Sequence, residues 1–334
     1  MASTEHSTMR APAGALMVCS LVAGLLCFAQ PEPQKALLPA HRRVAVTFDD
    51  LPTVSVRPDD ADGRRNMTRR LLAAVTSEKL PAVGFVNEGK LYPQGKLDET
   101  RIALLQMWLD AGLELGNHTY SHSDLHATKL ADYEQDIVRG ETVLGRLAGE
   151  HGQKLRYFRH PMLHTGRDVE TRRALAEFLS KRGYAIAPVT IDNSDWIFAG
   201  AYASGSERGD SAMKERIVAA FIPYMEQKFD YYERQSVVLL GREPPQILLL
   251  HANSLNADTF DSLARMIRAR GYDFITLAAA LQDPAYELPD GYYGPAGISW
   301  LHRWVLASGR KELIVPDEPR TPEFVMKEAG VSEE

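Results

Sequence analysis

Two acidic residues and two histidines have the types and the spacing of a metal site. Asp49 and Asp50 stand side by side after the apolar run Val44–Phe48, and His118 and His122 follow downstream, four residues apart. A spacing of four places two imidazoles on one face of a helical turn, from where both can reach one ion. Taken alone, a histidine pair of this kind is more often surface or capping material than a metal site.

The sequence around the histidine pair favours the metal site. The pair follows the apolar run Leu113–Gly116, where a strand would end and a loop would open. Loops at the carboxyl ends of strands carry the sites of parallel α/β folds. Asp50, from a different strand end, would complete three ligands and leave a position open for water, as catalytic zinc requires. Asp49 would then take the proton of that water, unless the Asp49-Asp50 pair is only a polar strand end beginning a turn.

The bulk composition narrows the class of protein. The chain has 334 residues, of which 45% are hydrophobic and 25% charged, and its net charge is −6. A chain of this size and composition can bury the core of one large domain or two small ones, and it is not disordered. Because the charge is negative and no long basic run is present, nothing favours a nucleic-acid partner.

The first residues have the pattern of a targeting segment. Arg10 precedes an apolar stretch that ends at Ala29, and a proline-rich segment follows. This pattern predicts a signal peptide over residues 1–29 and a linker over residues 30–41. An uncleaved transmembrane anchor or a buried helix is the alternative. We therefore expect export to the periplasm, the cell envelope or the medium, with no stable membrane insertion after cleavage.

Seven short apolar runs after Arg42 are strand candidates, because each is bounded by Gly, Pro, Asn or Asp. The candidates are Val44–Phe48, Ala82–Val86, Leu113–Leu115, Arg156–Phe158, Tyr184–Ala187, Gln246–Leu250 and Phe274–Thr276. The stretches between them repeat apolar residues at helical spacing. This alternation predicts an α/β fold, either a parallel barrel or a doubly wound sheet, and periodicity does not separate the two.

The last third of the chain departs from this alternation. The Gly/Ser-rich segment Ala199–Asp210 is expected to be a loop, and Ser211–Leu240 to be a helix. The aromatic residues of that helix are expected in the core, with a substrate-binding rim as the alternative. We expect a catalytic domain over residues 42–285 and a C-terminal extension over residues 286–334 that packs on it.

Five segments resemble, in the same order, the five motifs of polysaccharide deacetylases of the NodB-homology type, carbohydrate esterase family 4. The segments are Thr47–Asp50, His118–His122, Arg159–Pro161, Asp192–Trp196 and Leu249–His251. The resemblance covers roughly residues 42–281. It implies a distorted (β/α) barrel with about seven parallel strands, which chooses between the two arrangements that periodicity leaves open.

The resemblance implies a metal and two proton-transfer groups. Asp50, His118 and His122 would hold a divalent cation, zinc in the first place, with cobalt, manganese or nickel as alternatives. Asp49 would be the general base and His251 the general acid, and water bound to the metal would be the nucleophile. A base and an acid on opposite sides of the amide are the arrangement that breaks a C–N bond.

Two partners of these groups are implied as well. Arg159 would pair with Asp49 and keep it ionised, since a neighbouring cation favours the charged carboxylate. Asp192 would orient His251 and stabilise its imidazolium. Read alone, His251 would be a satisfied core histidine.

The implied substrate contacts are less regular. Trp196 and Leu249 would line a small apolar slot for the acetyl methyl group, and ordinary core positions are the alternative for both. The third motif usually ends in Pro-Tyr, whereas this chain has Pro161-Met162, so the aromatic wall is missing. The backbone N–H of Met162 would still help to stabilise the oxyanion. Leu51 stands where the family commonly has glycine. Three further histidines are expected to be ordinary loop residues, namely His126, His160 and His164. Contact with substrate or with a carboxylate beside the site is the alternative for His160 and His164.

The sequence therefore predicts a metal-dependent hydrolase that removes N-acetyl groups from amino sugars of an envelope or extracellular glycan. Its predicted partner is that glycan, and the sequence does not indicate an oligomeric state. The altered third motif leaves open a related hydrolase of another small amide, imide or ester. A non-catalytic glycan-binding or scaffold protein that has kept the barrel is the alternative from another class.

Overall fold

The computed structural model describes residues 41–54 and 60–334. The predicted signal peptide lies outside these residues, so export and cleavage stay predictions. Within the described part of the chain, no helix is both long enough and apolar enough to cross a membrane.

The described residues contain one sheet of seven strands, all paired in parallel. The strands are β1 (Arg42–Leu51), β2 (Val83–Val86), β3 (Glu114–Asn117), β4 (Tyr157–Phe158), β5 (Ala185–Ile186), β6 (Gln246–His251) and β7 (Tyr272–Phe274). Their order is β5-β4-β3-β2-β1-β6, with β7 paired to β1. Each predicted strand overlaps an observed one, although β7 begins two residues before its predicted start.

The sheet curls until its edges meet. Beyond β5 the chain continues to Ile191, which pairs with Leu248 of β6 in a parallel bridge. The amide of Thr190 also donates to the carbonyl of Ile247 at 3.0 Å. The strands thus close into an irregular barrel through a bridge and not through a full strand. This arrangement agrees with the distorted (β/α) barrel and excludes an open doubly wound sheet.

Helices lie between the strands and after them. They are α1 (Ala61–Ser77), α2 (Glu99–Asp110), α3 (Leu130–Arg139), α4 (Thr142–Glu150), α5 (Val169–Lys181), α6 (Asp195–Glu207), α7 (Ser211–Leu240), α8 (Ser254–Ala269), α9 (Leu277–Ala280), α10 (Trp300–Ala307) and α11 (Glu323–Ala329). The side chains of Asp60, Asp98, Asp168 and Asp210 accept backbone N–H bonds at four helix starts, as N-cap residues do. The helix predicted over residues 211–240 is present as α7.

The Gly/Ser-rich segment predicted to be a loop is largely helical, so that prediction is wrong. α6 begins at Asp195 and runs to Glu207, with Ile197 and Ala201 buried on one face. Burial of this face outweighs the low helix propensity of glycine and serine. A Cβ at Gly205 would lie 3.3 Å from the Lys214 side chain, so the small residue allows α7 to pack closely.

Side chains on the inner faces of the strands fill the amino-terminal end of the barrel. They form an apolar cluster with α9, made of Ala45, Val83, Phe85, Tyr157, Ala187, Ile247, Leu277 and Ala280. Because side chains alternate along a strand, the next inward positions are Thr47 and Asp49 on β1 and Leu249 and His251 on β6. The inward rows therefore change from apolar to polar toward the carboxyl ends of the strands, where parallel barrels carry their sites.

Candidate active site

Asp50, His118 and His122 converge on one point at this polar end. Asp50 Oδ1 lies 3.7 Å from His118 Nε2 and 3.5 Å from His122 Nε2. Zinc holds such ligands at about 2.0–2.2 Å in a tetrahedron, which separates neighbouring donors by roughly 3.3–3.5 Å. Asp50 Oδ1 is also buried without a hydrogen-bond partner. The three predicted ligands, which we call the metal triad, thus fit a divalent cation.

A hydrogen bond from outside the triad fixes the ring of His118. Its Nδ1 lies 2.8 Å from the backbone carbonyl oxygen of Arg159. Since a carbonyl only accepts, Nδ1 carries the proton and the lone pair of Nε2 faces Asp50. Burial and the neighbouring His122 hold the pKa of His118 well below its ordinary value. The ring is therefore neutral, which is the form that binds metals.

Lys90 holds the second oxygen of Asp50. Its Nζ lies 3.6 Å from Asp50 Oδ2 and donates to the Asp50 backbone carbonyl at 2.8 Å. Burial would raise the pKa of Asp50, but Lys90 and the nearby histidines outweigh it, so the pKa lies below its ordinary value. Lys90 could not be predicted from the sequence because no motif surrounds it, and only the fold brings the chain after β2 beside the end of β1.

Five site residues adopt left-handed backbone conformations. They are Asp50 (φ 69°), Thr119 (φ 63°), His122 (φ 57°), Met162 (φ 54°) and Leu163 (φ 53°). For residues that carry a Cβ this conformation costs of order 1–2 kcal/mol each. Such a cost persists only where surrounding contacts fix the backbone, so the loops at this end of the barrel are held in shape by their neighbours.

Asp49 and Arg159 form the ion pair expected from the sequence. Arg159 Nη1 donates to Asp49 Oδ2 at 3.2 Å, and Nη2 donates to Thr47 Oγ1 at 2.9 Å. The guanidinium is buried against the ring of Phe85. Burial raises the pKa of Asp49 to about 6, although Arg159 and His251 lower it. Asp49 is thus mostly ionised at pH 7, and its buried Oδ1 has no hydrogen-bond partner.

Asp195, and not Asp192, is the carboxylate that contacts His251. Asp195 Oδ1 lies 2.6 Å from His251 Nδ1, and Oδ2 accepts the His251 backbone N–H at 2.8 Å. Asn256 Nδ2 donates to Asp195 Oδ2 at 2.6 Å. Burial would lower the pKa of His251, but the Asp195 carboxylate outweighs it and the pKa is raised to about 9. The orientation of His251 by Asp192 is therefore corrected to Asp195.

The turn before α6 explains this difference. Asn193 Nδ2 donates to the carbonyl of Leu249 at 2.7 Å, and its Oδ1 accepts the amide of Asp195 at 3.0 Å. These bonds tie the start of α6 to β6, so Asp195 lies beside His251. Asp192 precedes this turn and accepts the Asn193 amide at 2.9 Å. Burial raises the pKa of Asp192 to about 6, although Lys228 lowers it.

The four residues predicted to contact substrate differ in exposure. Trp196, at the start of α6, and Met162, in the loop after β4, are each 44% exposed. Leu249 and Pro161 are buried, and Leu249 belongs to the main hydrophobic core. Leu51 is buried too, against Gly84, whose missing side chain leaves it room. Apolar surface beside the site thus comes from Trp196 and Met162.

A second group of metal-type donors lies in the neighbouring loops. Asp124, His126 and His164, which we call the loop triad, have donor atoms within 4.8 Å of one another. Asp124 Oδ1 lies 2.6 Å from His164 Nδ1, and the rings of His126 and His164 stack at 3.9 Å and 9°. Lone pairs lie in the plane of each ring, so those of stacked rings run parallel and do not converge on an ion. His160 is buried against Phe158.

Comparison with known sequences gives one matching family. Residues 39–180 match the polysaccharide deacetylase family. This range includes the first three motifs and ends before Asp192 and His251. A peptidoglycan-N-acetylglucosamine deacetylase of Bacillus cereus is 25% identical over 158 residues. That alignment spans 46% of this chain and 46% of the relative, so it covers less than half of either protein.

Solved structures give more distant similarities. A family 4 carbohydrate esterase from Streptomyces lividans in complex with acetate is 23% identical, with 69% of this chain and 90% of that chain covered and a TM-score of 0.43. A family 4 pseudoenzyme from Bacillus anthracis is 16% identical, with 73% and 66% covered and a TM-score of 0.49.

Proposed function

We propose, from the premise that the chain contains a polysaccharide deacetylase domain of the NodB-homology type, that it is a metal-dependent hydrolase removing N-acetyl groups from amino sugars. One observation carries the proposal. Asp49 and Asp50 each keep one buried carboxylate oxygen without a hydrogen-bond partner. A buried carboxylate oxygen without a partner is unfavourable and needs an explanation. A proton acceptor at Asp49 and a cation ligand at Asp50 explain both.

The metal triad is the proposed cation site. Asp50, His118 and His122 offer two nitrogen donors and one oxygen donor, a set that suits zinc and also cobalt, manganese or nickel. When bound, such an ion polarises a carbonyl group and lowers the pKa of water. Three protein ligands leave a coordination position for water or substrate.

Asp49 is the proposed general base. Its Oδ2 is held by Arg159, and its Oδ1 is the atom that accepts the proton from water. The raised pKa of about 6 suits this role, because a base works best when its pKa lies near the working pH. The bond from Arg159 keeps the carboxylate in place during the transfer.

His251 is the proposed general acid, with Asp195 as its orienting partner. The β1–β6 register places His251 directly opposite Asp49, on strands about 4.8 Å apart. His251 Nδ1 is hydrogen-bonded to Asp195, so His251 Nε2 is the atom that gives the proton to the departing nitrogen. Base and acid thus lie on neighbouring strands, at the end of the barrel that carries the metal triad. Asp192 is left without a proposed contact to His251.

Substrate contacts complete the proposal. The backbone N–H of Met162 would donate to the oxyanion, with Pro161 setting the turn before it. Trp196 and Leu249 would border the acetyl methyl group, Trp196 from the exposed side and Leu249 from the core. The substrate class, an acetylated amino sugar of a cell-envelope glycan, follows the activity named for the Bacillus cereus relative.

Acetate release from N-acetylglucosamine oligomers tests the proposal. We expect release by the wild-type protein and none after treatment with a chelator. Asp49→Asn should reduce turnover by about 10²–10⁴-fold, which is the rate factor that a general base usually contributes. The variant protein should keep its metal. Asp50→Asn should lose the metal. Activity that survives the chelator, or an Asp49→Asn variant with full activity, would contradict the proposal. Equal metal loss in both variants would show that the two roles are wrongly assigned.

The exposed Met162 favours a second candidate substrate class. A methionine in place of the aromatic wall leaves the site more open on that side. A related small amide, imide or ester would meet the same base, acid and cation site. A panel of such compounds beside the sugar oligomers separates the candidates, because the proposed activity requires the highest kcat/KM on the acetylated sugar.

A further inference from the structure

Segment 288–303, which we call the strap, is fastened to the barrel around the loop that carries Met162. Arg172 of α5 donates to the backbone carbonyl of Asp290 at 2.6 Å. The amide of Trp300 donates to the carbonyl of Val189 at 2.8 Å, in the chain that follows β5. The strap thus connects α5 with the segment that closes the barrel, and it contacts loop 160–166 in between.

Arg303, at the end of the strap, is the centre of this contact. Its side chain is 1% exposed, and every donor nitrogen is bonded. Nη2 donates to the Leu163 carbonyl at 2.6 Å, and Nη1 donates to Thr165 Oγ1 at 2.8 Å and to Asp290 Oδ2 at 2.9 Å. Nε donates to the carbonyl of Ile298 at 3.0 Å. A buried guanidinium is tolerated only when bonded in this way, so the loop and the strap are one hydrogen-bonded unit.

The loop needs such support because of its backbone. Met162 and Leu163 are consecutive left-handed residues, with φ values of 54° and 53°. Neither is glycine, so the turn is unfavourable unless neighbouring groups hold it. Gly297 of the strap lies directly against it, and a Cβ at Gly297 would overlap the Met162 carbonyl oxygen. Contacts from Arg303 and Gly297 therefore fix the two peptide units that follow Met162 and Leu163.

We propose that Arg303 is a positioning residue, which holds the Leu163 carbonyl so that the Met162 amide stays directed at the acetyl oxygen. The inference rests on the proposed function, because only the hydrolysis gives that amide a role. The strap then contributes to transition-state stabilisation without touching substrate. A merely structural Arg303 would affect stability and leave the chemical step unchanged.

Three variants separate these roles. Arg303→Met removes the hydrogen-bond donors and keeps the apolar stem. The Met162 amide should then shift, and a displacement of about 1 Å in a group that acts on the reacting atoms lowers the rate roughly 10²-fold. We expect kcat to fall by that order, with KM and metal content near wild type, because the amide acts in the transition state. Arg303→Lys keeps a cation and one donor position and should recover part of the loss. Gly297→Ala pushes on the Met162 carbonyl directly and should lower kcat even where Arg303→Met folds poorly.

Gln235→Ala is the matched control. Gln235 is fully buried, its Nε2 donates to the Leu313 carbonyl at 3.0 Å, and its Oε1 accepts the Val315 amide at 2.8 Å. It ties a different part of the C-terminal extension to α7, away from loop 160–166. We expect this variant to lose stability and to keep kcat within about threefold of wild type.

Hydrogen exchange of the amides in loop 160–166 is measured on the same proteins. Arg303→Met should speed exchange in this loop by roughly tenfold or more, and Gln235→Ala should not. An unchanged kcat in Arg303→Met, or an equal fall of kcat in Gln235→Ala, would overturn the inference. If the wild type released no acetate, the proposed function would fail, and unchanged exchange in Arg303→Met would then overturn the positioning of the loop separately.

Discussion

The metal triad and the loop triad have the same composition, one aspartate and two histidines, but opposite internal geometry. In the metal triad, Asp50 Oδ1 stands 3.5 Å and 3.7 Å from its two imidazole nitrogens and bonds to neither. In the loop triad, Asp124 and His164 are in hydrogen-bond contact at 2.6 Å. The two groups thus share their residue types but not their sequence spacing, and the contacts between their members distinguish them.

The difference lies in where each group finds its partners. In the metal triad, the Arg159 carbonyl fixes the ring of His118, and Lys90 lies 3.6 Å from the Asp50 carboxylate and donates to the Asp50 backbone carbonyl. Their remaining donor atoms are therefore free to face a common point. In the loop triad, Asp124 and His164 contact each other and the rings of His126 and His164 stack, while His126 Nδ1 is buried without a hydrogen-bond partner. We infer that the outside contacts to His118 and Asp50 preorganise the metal triad for a cation.

The largest expected effect is on metal content. His118→Ala removes one of the two nitrogen donors of the metal triad, so we expect the protein to lose its bound zinc and acetate release to fall to background. His164→Ala should keep the zinc, because its ring contacts Asp124 and stacks on His126 and is not part of the metal triad. Elemental analysis of both dialysed variants measures this. Equal zinc loss in the two, or two zinc ions per wild-type chain, would break the comparison.

A second prediction compares the two Asp–His pairs with the same 2.6 Å contact. Asp195 is fully buried and raises the pKa of His251 to about 9. Asp195→Asn removes the negative charge, so the pKa of His251 falls. A general acid works only when protonated, and activity is lost as the pH rises through its pKa. We therefore expect kcat to drop by about 10²-fold at pH 7 and the alkaline limb of the pH profile to move to lower pH.

Asp124→Asn is the control for that experiment. Its carboxylate is 29% exposed and pairs with His164, which is not part of the metal triad. We expect its pH profile to overlay the wild-type profile, with kcat changed by no more than about threefold. If the pH profile shifted in Asp124→Asn and stayed fixed in Asp195→Asn, the Asp–His pair that takes part in catalysis would be wrongly identified. The pH profile of Asp192→Asn, measured beside those of the other two variants, tests whether Asp195 and not Asp192 orients His251.

The fold could be predicted further than the site. The strands could be predicted because buried parallel strands are short apolar runs, as in Gln246–His251. Such a run predicts a strand wherever it occurs in the chain. Helix α6 was not visible, because the burial of Ile197 and Ala201 against other helices outweighs a local composition typical of loops. Local sequence predicts an element well only where distant packing does not reverse its propensity.

Within the site, ligands could be predicted and their partners could not. The pairing of His118 and His122 could be predicted, although residues 118–122 form a loop and not the helical turn expected from their spacing. The partner of His251, in contrast, depends on the residue at which α6 begins. Asp192 and Asp195 are three residues apart in one segment, and only the bonds of Asn193 decide between them. Contacts between residues far apart in sequence carry no local signal.

The smallest expected effect is on stability and tests whether the loop triad is only structural. A partly exposed Asp–His contact contributes about 0.5–1 kcal/mol to the free energy of unfolding, since solvent screens it. A double-mutant cycle of Asp124→Asn and His164→Ala, measured by thermal unfolding, should return a coupling of that size. Added zinc should leave the coupling unchanged, because stacked rings offer no converging lone pairs. If zinc raised the melting temperature of His118→Ala, and His164→Ala on that background removed the rise, the loop triad would bind the ion. The contrast between the two triads would then lie in affinity and not in geometry.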